Sequence, residues 1–366
     1  MKDLKTLSDL IKIKSYNNEE NIINYIKEVF KDCSKEIRVV EAINGKKNIL
    51  VGLNTKLENV EPIVLSGHID TVNADEENYL TNPYELVVKD NKAYGLGVID
   101  MKCFTSSIVD KISEIKELKY PIVLAFTTDE ETELKGIECL IEEMKQRDIK
   151  PKFTIIGEPT CMKINNISNG CFEYKVEVYG KSCHSSTPQN GINAICIMAK
   201  IITFIEELSR KYNNLVMNSN IINGGTIINR IADFVSMSFD IRTTSMNNYK
   251  EAIDLINKKI EDLKVEYKTN IVITKQLEIP PLSCKNKSNI TKLASKLGLE
   301  VESFSGGCEA GYYESYSGDA ILFGVGDISL AHKPNEFMIV DDYYKYNDLL
   351  MEMLNEIGDI YYKSTY

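Results

Sequence analysis

The sequence predicts an α/β fold with a central sheet, interrupted by a smaller α+β unit. Three observations carry this prediction. Short apolar runs alternate with helical patterns from the N-terminus to about residue 160, as in a helix-covered sheet. After residue 168 the order changes to strand, helix, strand, strand, helix, strand. Beyond the Ile279-Pro280-Pro281 break, helices and short apolar runs resume.

In chain order, residues 1–31 read as two amphipathic helices. Leu4, Leu7, Leu10 and Ile11 share one helical face, and Ile22, Tyr25, Ile26, Val29 and Phe30 share another. ILVGL at 49–53 and IVLS at 63–66 are too short for helices and have the Ile, Val and Leu of buried strands. A helix is expected over 104–119, a strand at 121–126, a helix over 134–146 and a strand at 153–156. FEYKVEVYG at 172–180 alternates like a strand with one wet face. A helix over 191–209, strands at 222–228 and 233–241, a helix over 247–264 and a strand near 271–274 complete a ferredoxin-like βαββαβ unit. Residues 288–298 and 342–357 read as helices, with short apolar runs at 299–303 and 320–323 between them. The expected segments are therefore 1–167, 168–276 and 277–366, the first and third forming one larger domain.

The chain has 366 residues, with 43 Lys and Arg against 54 Asp and Glu, a net charge of -11. That balance disfavours nucleic acid as a partner, since such binding rests on neutralising phosphates. No apolar run is long enough to span a bilayer, so no membrane association is expected. The N-terminal stretch lacks the apolar core and small-residue cleavage site of a signal peptide. Nine cysteines without a CxxC pair point to reduced thiols, and a cytoplasmic location is expected.

Only three histidines occur, His68, His184 and His332. His68 and Asp70, in SGHID, follow an apolar run, at the strand end where open α/β sheets place their sites. Residues two apart in extended chain point the same way, so Asp70 is expected to hold the far nitrogen of His68. Taken alone, the pair also reads as a strand-end histidine bonded to an aspartate. Asp100, in YGLGVIDMK, sits in a Gly-rich turn before a helix. Its carboxylate suits either a helix cap or a bridge between two cations. TTDEETE at 127–133 places Glu130 and Glu131 after a buried strand, where clustered carboxylates are costly unless neutralised. Glu158 in IIGEPT repeats that design, and His332 in LAHKPNEF adds a second nitrogen donor. Two histidines and three carboxylates suit two divalent ions that share one carboxylate. Oxygen and nitrogen donors without thiolate favour zinc, cobalt or manganese. Metal-assisted hydrolysis is the chemistry such a pair of ions serves.

These motifs, together with GKSCHSSTPQNGINAI, resemble the successive signatures of the M20 dinuclear zinc aminoacylase and peptidase family over roughly residues 60–341. The resemblance implies a zinc-peptidase-like catalytic domain with a mixed central sheet and an inserted lid and dimerisation domain. It implies His68 and Glu158 on one ion, Glu131 and His332 on the other, and Asp100 bridging. Asp70 would orient His68, and Glu130 would be the general base that carries a proton from water to the leaving amine. The peptide bond after Asp100 is expected to be cis. His184 would cross a homodimer interface and stabilise the oxyanion in the partner's site. Asn229 would stand in the lid. Arg242 is a candidate clamp for a substrate carboxylate, with pairing to Asp240 or Glu177 as the alternative.

Within the family, the segment before Asp100, CEAGYY at 308–313 and AHKPNEF resemble the acetylornithine deacetylases. An N-acyl amino acid is therefore the implied small-molecule partner, and removal of acetate from N-acetylornithine the implied reaction. Desuccinylase and di- or tripeptidase activities stand as alternatives, with a non-catalytic binding module as a different class. Glu309 is the candidate for the distal ammonium. Cys103, Ala232 and Val325 depart from the family pattern but spare every expected ligand. Cys103 or Cys308 is expected to make the enzyme oxidation-sensitive.

Overall fold

The computed structural model describes residues 4–74 and 76–362. By its internal contacts the chain divides into two compact units, one of Met1–Ile167, Leu282–Phe304 and Cys308–Tyr366, the other of Ser168–Pro281 and Ser305–Gly307. Among the described residues, no helix is long and apolar enough to cross a membrane.

The first unit opens with helices α1 (Lys5–Ile11) and α2 (Glu20–Phe30), whose apolar faces bury Leu7, Leu10, Ile11, Ile22, Ile26 and Phe30. Strands β1 (Glu36–Glu41), β2 (Lys47–Gly52) and β3 (Ile63–His68) follow, then the short β4 (Val87–Lys89) and β5 (Lys92–Tyr94). The helix expected over 104–119 is two pieces, α3 (Lys102–Asp110) and α4 (Ile112–Ile115), because Lys111 leaves helical geometry at φ -100°, ψ 6°. β6 (Ile122–Thr127), α5 (Lys135–Gln146), β7 (Phe153–Ile156) and β8 (Ile164–Ser168) complete this stretch.

In the second unit, β9 (Gly170–Tyr179) buries Phe172, Tyr174, Val176 and Val178 on one face, the alternation its sequence predicts. Helix α6 (Ala194–Lys211) is capped by Asn193, whose side chain accepts from the N–H groups of Ile195 and Cys196. Strand β10 spans Leu215–Gly224, upstream of the expected 222–228. Its alternation begins at buried Leu215 and Met217, and Gly225, at φ +74°, turns the chain away. β11 (Phe234–Thr243), α7 (Met246–Tyr267), capped by Ser245, and β12 (Asn270–Ile279) follow. Their antiparallel sheet runs β10-β11-β9-β12, the ferredoxin-like order.

The first unit resumes with α8 (Lys287–Leu297), β13 (Val301–Phe304), α9 (Ala310–Tyr316), β14 (Asp319–Leu322), β15 (Phe337–Ile339) and α10 (Val340–Tyr361). Its mixed sheet has the order β1-β2-β6-β3-β7-β14-β8-β13, with β6, β3, β7 and β14 parallel. Ile63, Val64, Leu65 and all of β6 are buried, as expected of strands covered on both faces. Full burial of each such side chain contributes roughly 1.5–3 kcal/mol before entropy is counted. A separate three-stranded sheet, β15-β5-β4, lies beside the turn that carries Asp100.

Candidate metal centre

The C-terminal ends of three neighbouring parallel strands supply most of the site. His68 is the last residue of β3, and its register partner on β6 is Thr127, three residues before Glu130. Ser66 pairs with Ile156, the end of β7, two residues before Glu158. Asp100 comes from the turn after β5, and His332 from the loop before β15 at φ +57°.

His68 Nε2 stands 3.0 Å from one Asp100 oxygen, and His332 Nε2 stands 3.2 Å from the other and 2.8 Å from Glu131. Two donor groups result, His68, Asp100 and Glu158, and Asp100, Glu131 and His332, with the ligand atoms of each within 4.8 Å of one another. Asp100 belongs to both. Together they form a dinuclear metal-binding site. The alternative role for Asp100, as a helix cap, is absent: Met101 holds the cap position of α3 and makes no side-chain capping bond. The Asp100–Met101 peptide is cis.

The donor chemistry fits divalent cations. Burial penalises the charge on Asp100, but the two imidazoles beside it pull its carboxyl below the usual range. Burial drives Glu158 up to about 8, with the Asp100 charge adding to the shift. Glu130 is pushed well above its ordinary value, by burial first and then by Glu158, Glu131 and Asp100 against the pull of His68. Asp100 and Glu131 raise His332 to about 10. Burial opposes protonation of His68, yet the bond to Asp100 lifts it well above the ordinary imidazole value. These shifts mark a cluster of carboxylates whose charge a cation would offset. A further buried oxygen, Asp70 Oδ1, has no hydrogen-bond partner.

Asp70 acts on His68 differently from its expected role. His68 Nδ1 lies 3.0 Å from the Asp70 backbone oxygen, while the carboxylate is 3.7 Å away. β3 ends at His68, so the period-two reasoning does not extend to Asp70. The Asp70 carboxylate instead accepts the N–H of Glu131 at 3.1 Å.

The sequence signature described as "Peptidase family M20/M25/M40" matches residues 64–356. The chain belongs to that family. An acetylornithine deacetylase of Buchnera aphidicola from Schizaphis graminum is 31% identical to this M20 chain, covering 92% of each. That of Proteus mirabilis is 31% identical over 83% of this chain and 81% of its own. A tripeptidase from Staphylococcus aureus has a TM-score of 0.73 at 23% identity, covering 98% of this chain and 97% of its own, and so shares the fold. An aminopeptidase from Bacillus cereus has a TM-score of 0.76 at 19% identity, covering 96% and 97%. With its dinuclear site, this M20 member is a metal-dependent amide hydrolase acting on amino-acid derivatives.

The remaining sequence-derived candidates have contacts of their own. Glu309 is 1% exposed, and one oxygen accepts the Thr127 hydroxyl at 2.9 Å. Burial raises its carboxyl to about 7. It stands just ahead of α9, and its other carboxylate oxygen is buried without a hydrogen-bond partner. In the second unit, Arg242 Nε donates to both oxygens of Asp240 at 3.0 Å, the pairing that stood as its alternative. Cys171, Glu173 and Asp240 cluster there too, but Arg242 already supplies the opposing charge. His184 is exposed, and its Nδ1 accepts the Ser186 N–H at 3.2 Å. Asn229 is exposed as well, and its backbone oxygen accepts from Ser185 N at 3.0 Å. Cys103 and Cys308 are each 1% exposed, and burial pushes the Cys103 thiol far up. That suppresses the reactive thiolate and removes the basis for expecting oxidation sensitivity.

Sequence reasoning missed the side chains that brace the site. Buried Asn48 donates to the Gly136 oxygen at 2.8 Å and accepts from Thr128 N–H at 3.0 Å, spanning the loop that carries Glu130 and Glu131. Lys46 bonds Asp129 at 2.7 Å beneath the same loop. Glu336 grips the turn of Asp100. No spacing rule marks Asn48 or Lys46, whereas Glu336 stood inside the AHKPNEF motif.

Proposed function

We propose that this protein removes the acyl group from an N-acyl amino acid, with N-acetylornithine as its substrate. The observation that carries the reaction class is Asp100, one carboxylate placed between two histidines of two donor groups. The named relatives at about 30% identity support the substrate.

In this reading His68, Asp100 and Glu158 would hold one ion, and Asp100, Glu131 and His332 the other. Nitrogen and oxygen donors favour zinc, with cobalt and manganese as substitutes. When bound, such ions polarise the scissile carbonyl and lower the pKa of the attacking water. Glu130 takes the water proton and delivers it to the leaving nitrogen, so water and amide become carboxylate and amine. Its burial among carboxylates gives it the proton affinity this needs. His68 donates Nδ1–H to the Asp70 oxygen, which leaves Nε2 as the nitrogen that would ligate. Asp70 further steadies the Glu131 backbone.

His184 accepts at Nδ1, which leaves Nε2–H as an outward donor for the oxyanion of a partner subunit's substrate. Arg242, steadied by Asp240, binds the substrate carboxylate, and Asn229 assists from the lid. A homodimer through the inserted unit is supported by edge strand β10, where Val216, Ile221 and Ile222 are exposed. Nine unbridged thiols support a reducing, cytoplasmic location.

The test is a steady-state comparison of N-acetylornithine, N-succinyl-diaminopimelate and a dipeptide panel, with zinc and cobalt supplied in turn. The highest kcat/KM is expected for N-acetylornithine. A preference for dipeptides or succinyl substrates overturns the substrate, and metal-loaded protein that binds amino-acid derivatives without turnover overturns the reaction.

A further inference from the structure

Asp100 occupies a turn between β5 and α3, outside regular secondary structure. The principal grip on that turn comes from one side chain. Glu336 is 2% exposed, and one of its oxygens accepts N–H from Ile99 at 2.7 Å and from Asp100 at 3.3 Å. The other accepts N–H from Gly97 at 3.1 Å. The Glu336 backbone oxygen takes a fourth donor, Gly95 N–H, at 3.4 Å.

Glu336 is also four residues beyond His332, on the same loop. The next residue, Phe337, begins β15 and pairs with Tyr94 at the end of β5. The strand pair therefore brings the two loops side by side, and the carboxylate closes the last gap between them. Backbone donors converging on a buried carboxylate form strong, directional bonds. Mobile loops alone would leave Asp100 and His332 free to drift, and ligand placement errors near 1 Å are costly.

We propose that Glu336 is a positioning residue: it locks the turn bearing Asp100 to the loop bearing His332, presetting the donors of the second ion. This rests on the reading of the two donor groups as the metal centre. The Glu336 carboxylate bonds backbone N–H groups of the turn, so its effect passes through the backbone.

The test is Co2+ titration of the chelated full-length protein, read by visible absorption and by equilibrium dialysis, for wild type, Glu336→Gln, Glu336→Asp and Asp341→Asn. The last removes a nearby carboxylate that bonds Asn91 and not the turn. Both Glu336 variants are expected to lose about 10- to 100-fold in Co2+ affinity, the range for outer partners of metal ligands, with an altered spectrum. Asp341→Asn should match wild type. Wild-type affinity and spectrum in a folded Glu336 variant would overturn the inference. So would a loss shared by Asp341→Asn, or one that only tracks the unfolded fraction measured by circular dichroism in both Glu336 variants. Wild-type protein that bound no Co2+ would refute the metal-centre reading itself.

Discussion

Adding zinc or cobalt to the chelated protein should expel protons, and the geometry sets how many. In the metal-free site the nitrogens that would ligate, His68 Nε2 and His332 Nε2, both face carboxylate oxygens within about 3 Å. Asp100 and Glu131 lift His332 to about 10, and His68 lies well above its ordinary value despite burial. His332 is therefore cationic at pH 7, the shift on His68 favours its proton too, and any ring proton must leave before the lone pair can bind an ion. Glu158, at about 8, is roughly 90% protonated at pH 7 and adds nearly one more. His332 and Glu158 together account for about two protons for two ions, and His68 and Glu130 can only add to that release. The sign follows: apparent metal affinity rises with pH between 6 and 8, by at least about tenfold per unit for the pair of ions. Isothermal titration in two buffers of different ionisation enthalpy, at fixed pH, counts the protons directly. Release of less than one proton at pH 7, or an affinity flat across that range, would refute the assignment of both histidines to the ions.

Other consequences follow from the same contacts. Glu130→Gln should lower kcat by about 10²- to 10⁴-fold while dialysis still finds two ions bound, because Glu130 is outside both donor groups; full activity would remove it as the base. Asn48→Ala strands the buried Thr128 N–H and Gly136 carbonyl. It should cost about 3 kcal/mol, read as a lowered urea midpoint of the first unit, and a cost under about 1 kcal/mol would contradict that. In chelated protein, Asp70 at about 6, Glu309 at about 7 and Glu158 at about 8 hold protons more tightly than an unfolded chain does. Their stabilisation is full below the ordinary carboxylate range and is lost as pH climbs to 8, so the melting temperature should fall over that interval. Iodoacetamide should label exposed Cys161 and Cys196 in the native protein and spare Cys103 and Cys308 until it unfolds.

What could be read from the sequence follows a physical division. Elements that bury a whole face announce themselves, as α2, β3, β6 and β9 do through apolar periodicity. β1 escaped notice because five of its six residues are only partly buried or exposed and its ends are charged. β4, β5 and β15 are three-residue strands, too short for any period. The residues brought into the two donor groups were legible because carboxylates and histidines at strand ends are costly without a purpose. Their distances were not, since these depend on which strands become neighbours. The buried position of Glu309 and the backbone contact of Asp70 depend on local chain paths that no spacing encodes.

Strand neighbours explain why so few residues suffice. β6, β3 and β7 lie side by side and parallel, so their C-terminal ends open on one edge of the sheet. Their register sets His68 opposite Thr127 and Ser66 opposite Ile156. Glu130 and Glu158 then need only three and two residues of loop to reach the same point. A one-residue slip would turn each strand's side chains to the opposite face, and the donors would part. That register is enforced by buried Ile63, Leu65, Leu124 and Ile155, which precede the donors along the same strands. The apolar core thus performs the coarse placement of the metal donors, and Asn48, Asp70 and Glu336 perform the fine one. Core substitutions that leave every ligand in the sequence can therefore weaken metal binding before they unfold the chain.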